Sequence, residues 1–193
     1  MKRLCRQCLI LLFGAVAAGM QPSMLAADEA PATRLEIRNP RSTLDDGVWV
    51  VDADLVIELH DPLLEALHSG VALTFVAEFE VLRPRNWWFD DTVAHVEQRW
   101  RVSYHALSRQ YLLINLNTRE VQTFYGLQAL LERMGRLRHF PVIDNRLLRG
   151  GGPYDLAMRL RLDGDALPLP LRLRAWTSSR WGPASDWVRW RLR

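Results

Sequence analysis

Cysteine and lysine are nearly missing from this chain. Its 193 residues hold two cysteines, Cys5 and Cys8, and a single lysine, Lys2, all within the first eight positions. If that segment is removed on maturation, the remainder has no thiol and no lysine. Disulfides, zinc–thiolate sites, cysteine nucleophiles, Schiff-base chemistry and a lysine general base are then all excluded. The five histidines, His60, His68, His95, His105 and His139, show neither His-Glu-x-x-His nor His-x-His spacing, so nothing local asks for a metal. No serine sits in a Gly-x-Ser-x-Gly elbow. Gly150-Gly151-Gly152-Pro153 lacks the Lys-Ser/Thr pair and the following helix of a phosphate loop. The sequence specifies no reaction and calls for no cofactor. A hydrophobic share of 49% with 24% charged residues is ordinary for a globular chain and excludes wholesale disorder.

The first residues read as an address. Lys2, Arg3 and Arg6 precede an unbroken apolar run from Leu9 to Ala18, followed by small and polar residues as far as Ala26 and Ala27. This is the layout of a secretory signal peptide. A membrane-spanning helix needs about 20 apolar residues, and Gln21 and Pro22 interrupt the run too early. Residues 1–27 are therefore expected to be a signal peptide cut after Ala27, with Ala17 and Ala18 as alternative points and an uncleaved anchor as the competing reading. Residues 28–193 are expected to form a single periplasmic domain with no transmembrane segment.

The net charge of +3 belongs to that leader, because residues 28–193 carry 22 arginines and 22 acids. No nucleic-acid footprint is implied. The balance is uneven along the chain: residues 28–98 hold 15 acids and 5 arginines, and residues 146–193 hold 4 acids and 10 arginines. Opposite charges across a sheet are favourable, so acidic strands are expected to lie beside arginine strands.

The dominant hydrophobic period is two. Val51, Ala53, Leu55, Ile57 and Leu59 alternate with polar neighbours. So do Val71, Leu73, Phe75, Ala77, Phe79 and Val81; Val96, Trp100, Val102 and Tyr104; Tyr154, Leu156, Met158, Leu160 and Leu162; and Leu169, Leu171, Leu173 and Ala175. Each reads as a strand with one buried and one wet face. With shorter candidates at 34–38, 110–116 and 187–192, eight strands point to an antiparallel, immunoglobulin-like β-sandwich. Asp61 as cap, Pro62 and Gly70 frame a short helix over 62–68. Phe124, Leu127, Leu130, Leu131, Met134 and Leu137 follow a 3.6 period, which predicts one amphipathic helix over 124–138, capped by Thr123 and packed on the sandwich. Strands 71–82 and 93–106 are expected to pair with Glu80 opposite Arg99 and Glu78 opposite Arg101.

The loop between those two strands holds the most suggestive chemistry. Trp87, Trp88 and Phe89 are consecutive and cannot all enter one sheet face, while Arg83, Arg85, Asp90 and Asp91 surround them. Trp87 and Trp88 with Arg83, Arg85 and Arg109 form the candidate partner-binding surface, in which tryptophan supplies desolvated area and arginine supplies orientation. The competing reading has two of the aromatics plugging the end of the core. Asp90 and Asp91 are the one tempting acid pair for glycan hydrolysis, but adjacent acids on a loop are more often a solvated turn. The final Trp187 to Arg193 alternates Trp and Arg and reads as an amphipathic strand whose arginines meet acidic ones.

Several stretches resemble an uncharacterised family of bacterial exported proteins, domain of unknown function 4390. They are Ala66 to Phe75, Arg85-Asn86-Trp87-Trp88, Ser103 to Tyr111, Arg159 to Asp163 with Leu167 to Leu171, and Trp181 with Ser185-Asp186-Trp187. Leu130 stands where the family pattern has Ala. The resemblance implies a mostly β envelope protein with no assigned activity or catalytic residues, and suggests gene neighbours encoding a two-component sensor kinase. The expected function is a non-enzymatic interaction or sensing module with an envelope protein or glycan as partner. An envelope glycan hydrolase and a carbohydrate-binding module are the alternatives.

Overall fold

The computed structural model describes residues 33–85, 90–148, 152–177 and 183–192, with the side chains of 174–177 excepted. All of them lie within the unit Pro31–Arg193. The expected signal peptide, residues 1–27, lies outside the described residues, as do Trp87, Trp88 and Gly150-Gly151. In chain order the elements are β1 (Arg34–Asp45), β2 (Val48–Glu58), α1 (Asp61–His68), β3 (Leu73–Arg83), β4 (Asp91–His105), β5 (Gln110–Asn115) and β6 (Val121–Phe124). Then come α2 (Leu127–Gly135), β7 (Arg136–Asp144), β8 (Asp155–Leu162), α3 (Leu169–Thr177) and β9 (Val188–Arg191). The protein is mainly β. Its strands form two antiparallel sheets, ordered β1-β2-β7 and β6-β5-β4-β3-β8-β9.

Turn chemistry places the strands. β1 and β2 are joined by Asp46-Gly47, both at positive φ (43° and 79°), the backbone of a two-residue hairpin turn. α1 ends in a double bond: the Val71 N–H reaches Ala66 O at 2.9 Å and the Gly70 N–H reaches Leu67 O at 3.0 Å, with Gly70 at φ 88°. This left-handed stop reverses the chain into β3. At the other end His60, not Asp61, takes the cap position. Its backbone N–H donates to Thr33 Oγ1, and Asp61 and Pro62 occupy the first turn.

The two sheets share one core. Val51, Ala53, Leu55 and Ile57 of β2 face Phe75, Ala77, Phe79 and Val81 of β3 and Leu156, Met158, Leu160 and Leu162 of β8, all buried. The Phe79 and Phe140 rings stack across the layers with centroids 4.8 Å apart. The Trp190 Nε1–H of β9 donates to Ser42 Oγ of β1, a polar tie between the sheets.

Four expectations are corrected. The alternating Leu/Arg run at 169–175 is the helix α3, not a strand. Pro170 suits a first helical turn, the Leu171 and Arg172 N–H groups both donate to Pro168 O, and Leu169 and Leu173, four apart, stay exposed together. The long helix over 124–138 is α2 alone, capped at Gly126 instead of Thr123, between two strands that the 3.6 period hid. Phe124 and Leu137 do meet the core, but from β6 and β7. The β3–β4 hairpin forms four residues away from the expected register, so Glu78 faces Glu97, Glu80 faces His95 and Val76 faces Arg99. β4 begins at Asp91, and a bulge at Val81/Leu82 resets the ladder. Finally, β3 is buried on both faces, since Thr74, Val76 and Glu78 are as enclosed as Phe75 and Phe79.

Gly135 closes α2 against β2, where an added Cβ would collide with the Leu55 carbonyl oxygen. Gly135→Ala is expected to cost about 1–3 kcal/mol through overpacking, read as a lower urea midpoint. Gly126→Ala, whose Cβ would meet open space, is the control and should change stability far less.

Candidate functional site

The loop 84–90 springs from the last pair of the β3–β4 ladder, Arg83 opposite Asp91. Both of its ends are tied down. Arg83 donates from Nη2 to the hydroxyl of buried Tyr154 at 2.6 Å, and its guanidinium carbon stands 5.3 Å from the centre of that ring. Arg85 donates to Asp91 Oδ2 at 2.9 Å and, from its backbone N–H, to Asp90 Oδ1 at 3.3 Å. Asp90 Oδ2 accepts from Arg189 Nη1 at 2.5 Å, and Arg189 Nε reaches Asp155 Oδ2 at 2.8 Å. Arg191 Nε stands 2.7 Å from Asp155 Oδ1 as an ion pair without hydrogen-bond alignment. Arg189 therefore pins the end of the loop to the start of β8. Arg189 and Arg191 share a face because they lie two apart on β9, opposite Ala157 and Asp155.

The hydrogen bond from Arg189 holds the Asp90 carboxyl below the ordinary aspartate range, against the opposing effect of desolvation. That is the wrong direction for a general acid, which needs its proton near neutral pH. Asp91 accepts from the Arg85 side chain, and Asp90 from the Arg85 backbone N–H and from Arg189, so each of the two adjacent carboxylates is held by an arginine.

The structure gathers Arg83 and Arg85 at the loop base and leaves Arg109 elsewhere. Arg109 sits exposed at φ 53° in the turn between β4 and β5. β4 is 15 residues long, which puts that turn roughly 45 Å from the loop at about 3.3 Å per residue. Trp87 and Trp88 lie outside the described residues. Sequence reading missed Tyr154 and Asp155 as partners of the loop base. The spacing of Arg189 and Arg191 was the available signal, but it named acidic strands in general and not these side chains.

A second charged group covers the outer face of β3. Glu78 accepts from Arg159 Nη2 and from Arg161 Nε, both at 2.6 Å. Arg161 also lies 3.8 Å from Glu97 and 3.6 Å from Asp163, and Arg99 bridges Glu97, at 3.2 Å, and Asp163. Three acids and three arginines from β3, β4, β8 and the residue after it thus neutralise one another. Trp187 lies over Arg159, with the guanidinium carbon 4.7 Å from its ring centre. The expected pairing of acidic and arginine strands is present, with β8 supplying the arginines that β4 was expected to supply.

Fold and site together define a mainly β, two-sheet domain whose loop base is locked by arginine–carboxylate pairs. The chain belongs to the family described as Domain of unknown function (DUF4390), whose family model matches residues 32–191. No curated protein and no solved structure matches it. Among the described residues no helix is long and apolar enough to cross a membrane.

Burial acts to raise the Glu78 pKa, but the hydrogen bonds from Arg161 and Arg159 outweigh it, and the net shift is downward. A lowered folded-state value contributes stability above the ordinary glutamate range and loses it as pH falls through that lowered value. Glu78→Gln is expected to cost about 1–3 kcal/mol at pH 7, where both arginines lose a charged partner. Urea titrations at falling pH should show the gap between the two proteins narrowing below about pH 4.

Proposed function

We propose that this protein is an exported, periplasmic, non-enzymatic interaction module that presents the 84–90 loop to an envelope partner. Residues 1–27 act as the signal peptide, and the two sheets form a sandwich of the general immunoglobulin-like kind. The observation that carries the reading is the locked loop base. Arg85, Asp90, Asp91 and Arg189 are mutually paired around a segment that contains Trp87 and Trp88. A loop whose ends are held by paired charges has less conformational entropy to lose on binding. Its tryptophans are the residue type that supplies most interface energy. Arg83 contributes from the base, and Arg109 belongs to a separate surface. The family resemblance makes a two-component sensor kinase the partner class to examine first. Against a glycan hydrolase stands Asp90, held as a carboxylate by Arg189.

Photocrosslinking from position 86 in the periplasm tests this. Trp88→Ala should reduce capture of the partner at least tenfold with the melting temperature nearly unchanged. A collapse of stability would make the loop a plug of the core instead. Quenching of tryptophan fluorescence by glycan fragments, lost in the same variant, would identify a carbohydrate-binding module.

A further inference from the structure

The large sheet has six strands against three in the small one, and α2 packs on β2, β5, β6 and β7. Between the C-terminal end of α2, β7 and the inner face of β4, β5 and β6 lies a half-open cleft of about 520 Å³. That lies within the ~300–1,000 Å³ typical of ligand sites.

The lining has two characters. Trp100, Leu113, Met134 and Phe140 provide apolar surface. Gln98 stands among them on the core face of β4, between Val96 and Trp100, where the alternation calls for an apolar residue. It is 5% exposed. Its amide nitrogen donates to Asn115 Oδ1 at 2.9 Å and to the Arg99 carbonyl at 3.2 Å, which leaves its carbonyl oxygen without a partner among the described residues. Gln98 lines the cleft, so this acceptor is open to a donor that enters it.

At the rim the charges are not balanced. Arg138 is committed to Asp54 Oδ1 at 2.6 Å and to the Ala53 carbonyl, and His139 to Asp45 at 2.9 Å. Arg133 and Arg136 have no carboxylate partner among the described residues, unlike the arginines of the loop base and of the outer face. Glu120, the one acid among the described lining residues, accepts from Gln122 Nε2 at 2.6 Å. Two free guanidiniums beside an apolar slot with a spare acceptor define a ligand that carries an anion, an amide donor and an apolar body. Guanidinium planes match carboxylates in geometry as well as in charge.

We propose that this cleft binds the free C-terminus of an apolar peptide. Arg133 and Arg136 take the terminal carboxylate, the Gln98 carbonyl accepts a peptide N–H, and the last apolar side chain lies against Trp100 and Phe140. The site is separate from the 84–90 loop and does not depend on the function proposed for it.

Calorimetry with nitrogen-15 chemical-shift mapping on the full domain tests the proposal with three probes: N-acetyl-Leu-Phe, its C-terminal amide, and decanoate. The acid should bind and move the Trp100 indole N–H resonance. The amide, lacking the charge, and decanoate, lacking the peptide N–H, should each bind at least tenfold more weakly. Arg133→Gln with Arg136→Gln, both exposed positions, should abolish the preference for acid over amide and leave the melting temperature unchanged. Absence of acid binding, equal binding of acid and amide, decanoate binding as tightly as the peptide, or an unaltered preference in the double variant would each overturn it.

Discussion

The interaction on which the architecture leans is the enclosure of Glu78 by Arg159 and Arg161. β3 sits fourth in a six-stranded sheet and is buried on both faces. On the inner face this needs only apolar side chains. On the outer face it places a carboxylate, 7% exposed, directly opposite a second one at Glu97. Like charges across a ladder are unfavourable, and β3–β4 alone would be strained by this register. β8 relieves it from the other side, because the Glu78↔Arg159 pairing brings two guanidiniums onto one carboxylate. A paired buried charge is not by itself a large source of stability, but it is selective, since another register would leave the carboxylate enclosed and unpartnered.

The same currency of arginine and carboxylate sets the two ends of β3 and β4 apart in function. At the loop base nearly every charge is matched, and the matching extends to β9, whose Arg189 reaches both Asp90 and Asp155. Such a site is rigid and ionised, suited to presenting a segment and poorly suited to proton transfer. At the cleft beside α2 the matching fails, with guanidiniums left over and an amide facing inward. Violations of local pattern concentrate where something other than folding is served, and Gln98 is such a violation in a strand otherwise obedient to period two.

Much of the fold was legible. The apolar sets of β2, β3, β4 and β8 are the core in fact, because a side chain's face follows from its parity along an extended chain. α1 and its glycine stop were readable from Pro62 and Gly70. Less of the site was legible. Arg83 and Arg85 do stand together, while Arg109 belongs to a remote turn that loop composition alone could not locate. Arg133 and Arg136 offered no signal, since arginine is common in this chain and only their place on the rim of the cleft distinguishes them.

Parity, turn residues and charge composition thus settled which segments extend, which faces turn inward and that acids and arginines would meet. Register, neighbour order and the fate of short ambiguous runs were settled by tertiary structure. The Leu/Arg alternation at 169–175 fits a strand by parity and a helix by its four-residue spacing, and the folded chain holds the helix, with Leu171 against the core and Leu169 and Leu173 exposed. Glu78 could meet an arginine from β4 or from β8, and only the lateral order of strands decided which. Local periodicity reports the direction of a side chain, whereas its neighbour depends on contacts between residues far apart in the chain, whose energies no single segment contains.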